Sequence, residues 1–157
     1  MCGLSEKIAA AAAMIASITE TQVLTCKPAR AVPLMMLAGT LDTLVPYEGR
    51  QQAGIKLLPV MEAFVFWARR NDCREVRETA WGEATGSRPP QPFLTTVVEI
   101  SGCASGDIVR LYRVDGGGHT LPSKRPQSEE ERKRVGPRST EFETSEEVWA
   151  FLSLFKL

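Results

Sequence analysis

Histidine is almost missing from this chain: among 157 residues there is one, His119. Net charge is missing as well, with nineteen Lys and Arg against nineteen Asp and Glu. The chain therefore carries no electrostatic footprint for nucleic acid or for an anionic membrane. No apolar run reaches the ~18 residues of a membrane span. The four cysteines, Cys2, Cys26, Cys73 and Cys103, match neither a zinc-ligand spacing nor a C-x-x-C redox pair. Nothing else calls for a metal or a cofactor. Three glycines precede His119, but no Lys-Ser/Thr follows them, which excludes a phosphate loop. Internal repeats are absent.

What remains is ordinary globular composition, 43% hydrophobic and 24% charged, at single-domain length over 1–157. The run 32–38 is continuously apolar, ends at Gly39-Thr40 and delivers Asp42 to a loop that Pro46 stiffens. Such a run, bounded by turn residues, suits a central strand of a parallel sheet. A second apolar strand, 108–114, leads into Asp115-Gly116-Gly117-Gly118-His119-Thr120. Two strand ends thus present an Asp and a His in the order of the back half of a Ser…Asp…His relay, at the edge where open α/β sheets place their chemistry. Taken alone, Asp42 is a turn carboxylate and His119 a loop residue; only the pairing makes a site.

The other segments read as follows. Residues 8–18 are a third buried segment, alanine-rich like a helix but short like a strand. The run also has the length of a signal-peptide core, yet Lys7 is cancelled by Glu6 and no clear cleavage site follows. The sequence assigns no compartment. Residues 19–30 are a connection and 48–56 a polar loop. An amphipathic helix is expected over 58–70, with Pro59 in its first turn and Leu57, Met61, Phe64, Val65 and Ala68 as its apolar face. Segments 76–81 and 94–100 are rich in β-branched residues and flank a Gly/Pro stretch, 82–92, as an edge hairpin with a long loop. Cys73 and Cys103 bracket that hairpin and can pair in an oxidising compartment; free buried thiols are the competing reading. Residues 121–140 read as a solvated loop or short surface helix, with a lid over the site as the alternative. Thr144 and Glu147 have capping-box spacing ahead of a helix over 145–155 that buries Val148, Phe151, Leu152 and Phe155. Trp67 and Trp149 are read as core or rim packing.

Several of these segments resemble one family, the bacterial polyhydroxybutyrate depolymerases and feruloyl esterases, a branch of the α/β hydrolases. Residues 38–47, AGTLDTLVPY, are similar to its buried strand followed by a Gly-Thr-x-Asp turn and Val-Pro-Tyr. Residues 66–73, FWARRNDC, are similar to its aromatic helix ending in Asn-x-Cys. Gly102-Cys103, the strand from Leu111 into Gly-Gly-Gly-His-Thr, and Ser145 to Phe151 match further landmarks. The chain departs from the family in carrying Ala38 where a histidine is common and Leu121 where a Trp follows the histidine.

The resemblance implies an α/β fold: a partial α/β-hydrolase sheet of about three parallel strands plus an edge hairpin, with flanking helices, forming the C-terminal portion of the complete fold. It implies a carboxylic-ester hydrolase in which Asp42 is the triad aspartate and His119 the triad histidine, acting on a small-molecule or polymeric ester. The nucleophile is the gap. No G-x-S-x-G elbow occurs, and the family's elbow is expected upstream of Met1. Gly3-Leu4-Ser5-Glu6-Lys7 is half a match, so Ser5 is the candidate nucleophile within the chain. Without the oxyanion donors that accompany an elbow, catalysis would fall by roughly 10²–10³ per donor. An uncovered edge at the first strand is expected to drive homo-oligomerisation, or to receive a complementing N-terminal half. The alternative function is a non-catalytic oligomeric or binding half-domain derived from an esterase.

Overall fold

The run expected to be a central strand is one. In the computed structural model, which describes residues 1–83, 86 and 93–157, β2 (Leu34–Gly39) is buried at all six positions. It lies between β1 (Ala11–Met14) and β7 (Val109–Asp115) and is parallel to both. The sheet continues antiparallel through β6 (Leu94–Ser101) to β5 (Glu75–Ala80), giving the order β1-β2-β7-β6-β5. The chain is therefore a mixed α/β fold with a five-stranded mixed sheet, and four helices among the described residues.

Alternation divides the core. Leu34, Met36 and Ala38 of β2, with Val109 and Leu111 of β7, pack on one face. Met35, Leu37, Tyr112 and Val114 pack on the other. Helix α2 (Val60–Arg70) covers the first face with Val60, Ala63, Phe64, Trp67 and Ala68, an i, i+3, i+4, i+7, i+8 stripe. That corrects the expected stripe: Met61 is exposed, and Trp67 takes the inward place. Asn71 ends α2 and ties it to β2, its amide donating to Val32 O at 2.8 Å while Val32 N–H donates back at 3.3 Å. Helix α4 (Thr144–Leu152) covers the second face with Phe151, fully buried. Trp149 lies on its outer side, 73% exposed, and is not packing material.

Other expectations are corrected as well. The first strand is four residues long rather than spanning 8–18, and the whole segment is half-buried rather than interior. The connection after it contains α1 (Glu20–Thr25), opened by a capping box between Thr19 and Gln22. The polar loop 48–56 contains a small hairpin, β3 (Arg50–Gln52) and β4 (Ile55–Leu57), turned by Ala53 and Gly54, both at positive φ. The box expected from Thr144 and Glu147 does not form. The Thr144 hydroxyl donates to Pro122 O at 2.9 Å, and the Glu147 carboxylate accepts from Trp81 Nε1–H and Tyr112 O–H. Of the two readings of Cys73 and Cys103, the pairing is the one found, and Cys2 pairs with Cys26 as well. The long loop read over 82–92 lies for the most part outside the described residues.

The charged, fully exposed β5 suits an edge strand, because charge discourages further pairing. At the other edge, β1 is bonded to β2 alone among the described strands.

Two buried polar groups yield predictions. Glu141 is 5% exposed and accepts from Thr95 N–H (3.1 Å), Thr95 Oγ1 (2.6 Å) and Ser139 Oγ (2.9 Å), joining the segment after α3 (Glu129–Val135) to β6. Glu141→Ala strands those buried donors and is expected to lower the unfolding free energy by about 1–3 kcal/mol, read as a lower urea midpoint at unchanged slope. The chain's two tyrosines, Tyr47 and Tyr112, are both pushed above the ordinary phenol range, chiefly by burial. The Glu147 carboxylate adds to the shift at Tyr112, and the Arg113 charge opposes it at Tyr47. A raised folded pKa contributes stability that is complete below the unfolded value of 10.0 and is lost as pH rises toward the folded one. Stability is therefore expected to fall above about pH 10, with both phenols ionising together on alkaline unfolding in an absorbance titration. Independent ionisation at about pH 10 without unfolding would contradict this.

Candidate functional site

Asp42 follows β2 and His119 follows β7, which is β2's hydrogen-bonded neighbour in the same direction. Parallel pairing brings both carboxyl ends to one rim. The join is made by backbone bonds. Thr40 N–H donates to Val114 O at 3.0 Å, Leu41 N–H to Gly117 O at 2.8 Å, and Gly116 N–H to Thr40 Oγ1 at 3.0 Å. Glycine is required where the two turns cross. A Cβ on Gly39 would overlap the carbonyl groups of Gly117 and Gly118, and one on Gly118 would overlap Val135 O and Gly136. In the glycine run before His119, Gly118 is thus explained by close backbone approach, Gly117 by the Val114 side chain against it, and Gly116 by its φ of +82°.

At this rim Asp42 is buried and fully engaged. Its Oδ1 accepts from Leu44 N–H and Val45 N–H, each at 2.8 Å, and its Oδ2 lies 2.8 Å from His119 Nδ1. Asp42 is therefore both the turn carboxylate and the partner of the histidine. A carboxylate acceptor places the ring proton on Nδ1 and leaves Nε2 with its lone pair. The His119 side chain is 24% exposed, and no described residue bonds to Nε2. His119 is held from the other side by α3, its N–H donating to Val135 O at 2.6 Å. The Gly118 N–H donates to Pro137 O at 2.8 Å.

The imidazole opens into a cleft of about 620 Å³ whose walls include Ile15, Leu121, Arg125, Arg134 and Glu143. The charged segment 121–140 contains the expected short surface helix, α3, and also builds much of this wall. Ile15, immediately after β1, has φ +46°, a conformation β-branched residues rarely adopt.

Ser5 is not brought to this rim. It is 2% exposed, and its Oγ accepts from Ala29 N–H at 2.9 Å, in the segment that enters β2. Asp42 lies beyond the opposite end of that strand, and a six-residue strand spans about 20 Å. Ser5 therefore braces the N-terminal segment, as the Arg30 guanidinium does through Ile8 O. The sequence reading missed the contribution of Val135 and Pro137 to holding the histidine loop. The only signal was Gly136-Pro137 itself, a turn marker without a partner named. Among the described residues no group of three or more His, Cys, Asp and Glu is placed to hold a metal ion.

No family model matches the chain. It is 30% identical over 125 residues to feruloyl esterase B of Piromyces equi, an alignment covering 75% of this chain and 21% of that protein. The chain thus spans about a fifth of the length of the curated relative it matches. This likeness supports an esterase-like relationship.

Proposed function

We propose that the chain carries the acid–base half of a carboxylic-ester hydrolase, on a partial α/β-hydrolase sheet of three parallel strands with an antiparallel edge hairpin. The observation that carries the reading is the 2.8 Å contact between Asp42 Oδ2 and His119 Nδ1, which leaves Nε2 in an open cleft with no bond to a described residue. The likeness to a feruloyl esterase supports the reaction class. His119 Nε2 takes the proton of the attacking oxygen as it bonds to the ester carbonyl carbon. The imidazolium then returns that proton to the departing alkoxide as the acyl C–O bond breaks. Asp42 holds the tautomer and stabilises the imidazolium. The attacking oxygen is water in this chain alone, or a serine hydroxyl supplied by a complementing segment. Substrates are small or polymeric esters of the kinds that feruloyl esterases and polyhydroxybutyrate depolymerases take.

The test is hydrolysis of a short-chain aryl ester by this chain. A slow rate that depends on His119 and is untouched by Ser5→Ala supports the reading. No His119-dependent hydrolysis favours a second one, a non-catalytic half-domain that binds or oligomerises through the open edge of β1. The observation favouring that second reading is that no described hydroxyl reaches Nε2.

A further inference from the structure

Five charged side chains line the cleft beside His119: Arg125, Arg134, Arg138, Glu131 and Glu143. Both acids are committed. Glu131 is ion-paired with Arg138. Glu143 Oε1 accepts from Lys124 N–H at 2.7 Å and from Ser123 Oγ at 3.2 Å. The guanidinium groups of Arg125 and Arg134, in contrast, make no hydrogen bond or ion pair with any described residue. With Glu131 paired to Arg138, Arg125 and Arg134 stand against Glu143 alone, whose partners are neutral donors, so the cleft carries a net positive charge in a chain of zero net charge.

The backbone that carries Arg134 is tied to the histidine loop. Arg134 sits on α3 next to Val135, whose carbonyl accepts from His119 N–H. The Gln127 side chain bridges Gly136 O (2.9 Å) and Arg138 N–H (3.0 Å), closing the stretch 127–138 that contains Arg134 and begins two residues after Arg125. A guanidinium offers a planar fork of donors that matches a carboxylate in two-point fashion.

We propose that this cleft recognises an ester that carries a second, anionic group, a carboxylate, gripped by Arg125 and Arg134 while the ester carbonyl faces His119 Nε2. Half-esters of dicarboxylic acids and esters of acidic sugars belong to that class. The inference rests on the hydrolase reading for the word substrate, but not for binding, which is tested separately.

The single histidine makes the test direct, because the folded protein has one imidazole Cε1–H resonance. The full chain is titrated at constant pH and ionic strength with monomethyl succinate, and in parallel with uncharged dimethyl succinate. The expected result is a saturable shift of that resonance with the monoester only. It weakens at least about tenfold in Arg125→Gln/Arg134→Gln, and weakens with added salt, as exposed charge pairs do. Circular dichroism of the double variant confirms that it folds. An equal response to dimethyl succinate, no response to either, or an unchanged response in the double variant overturns the proposal. So does a stronger response to inorganic phosphate than to the monoester. Loss of hydrolysis with intact monoester binding would sink the hydrolase reading and leave the anion site standing; the converse would do the reverse.

Discussion

Replacing His119 with alanine is expected to reduce hydrolysis of a short-chain aryl ester by about 10²-fold or more, to the solvent rate, because a positioned general base contributes on that order. The geometry makes a second substitution nearly as damaging. Asp42 Oδ1 accepts from two backbone N–H groups, Leu44 and Val45. In Asp42→Asn an oxygen must stay at that position, so the amide nitrogen is forced to face His119. It would donate to Nδ1 and drive the ring proton onto Nε2, where a base is needed. The two variants should therefore fall together, with folding unchanged in Asp42→Asn. A rate that survives His119→Ala would mean the hydrolysis arises elsewhere on the chain.

Gly39→Ala is expected to be the most destabilising single-methyl change near the site, by about 3 kcal/mol or more, a fall in Tm on the order of 10 °C. The added carbon meets backbone rather than a flexible side chain: the carbonyls of Gly117 and Gly118. Neither can move without breaking the Leu41–Gly117 bond or dragging His119 away from Asp42. The variant should thus lose the hydrogen-bonded Nδ1 proton signal of His119 along with stability. Gly3→Ala, whose Cβ would meet nothing within 4 Å, is the control and should leave both unchanged. A Gly39→Ala protein as stable as its parent would show that the two turns are not locked together.

Much of the strand plan was legible before any coordinates. The apolar run at 32–38 and the mostly apolar segment 108–114, which carries Arg110 and Arg113, became β2 and β7 within a residue or two. The helix at 58–70 was legible too, but its inward stripe was not. Met61 and Trp67 are both apolar, and which one faces the sheet depends on the angle at which the helix lies. The capping box at Thr144 failed for a related reason. Local spacing offered one set of bonds, and the fold offered Pro122 O to Thr144 and Trp81 with Tyr112 to Glu147 instead. The hairpin at Ala53-Gly54 was missed because alanine rarely takes a positive φ.

The sequence by itself determined that its one imidazole follows the strand-forming segment 108–114 and that an acid, Asp42, follows the apolar run 32–38. It did not determine which nitrogen of the ring would face the cleft, that Ser5 would be buried away from both, or that two arginines would be left without partners among the described residues. Those outcomes were decided by parallel pairing of β2 with β7 and by the backbone crossing at Gly39 and Gly118, contacts between positions more than 70 residues apart, and local spacing carries no record of contacts at that range.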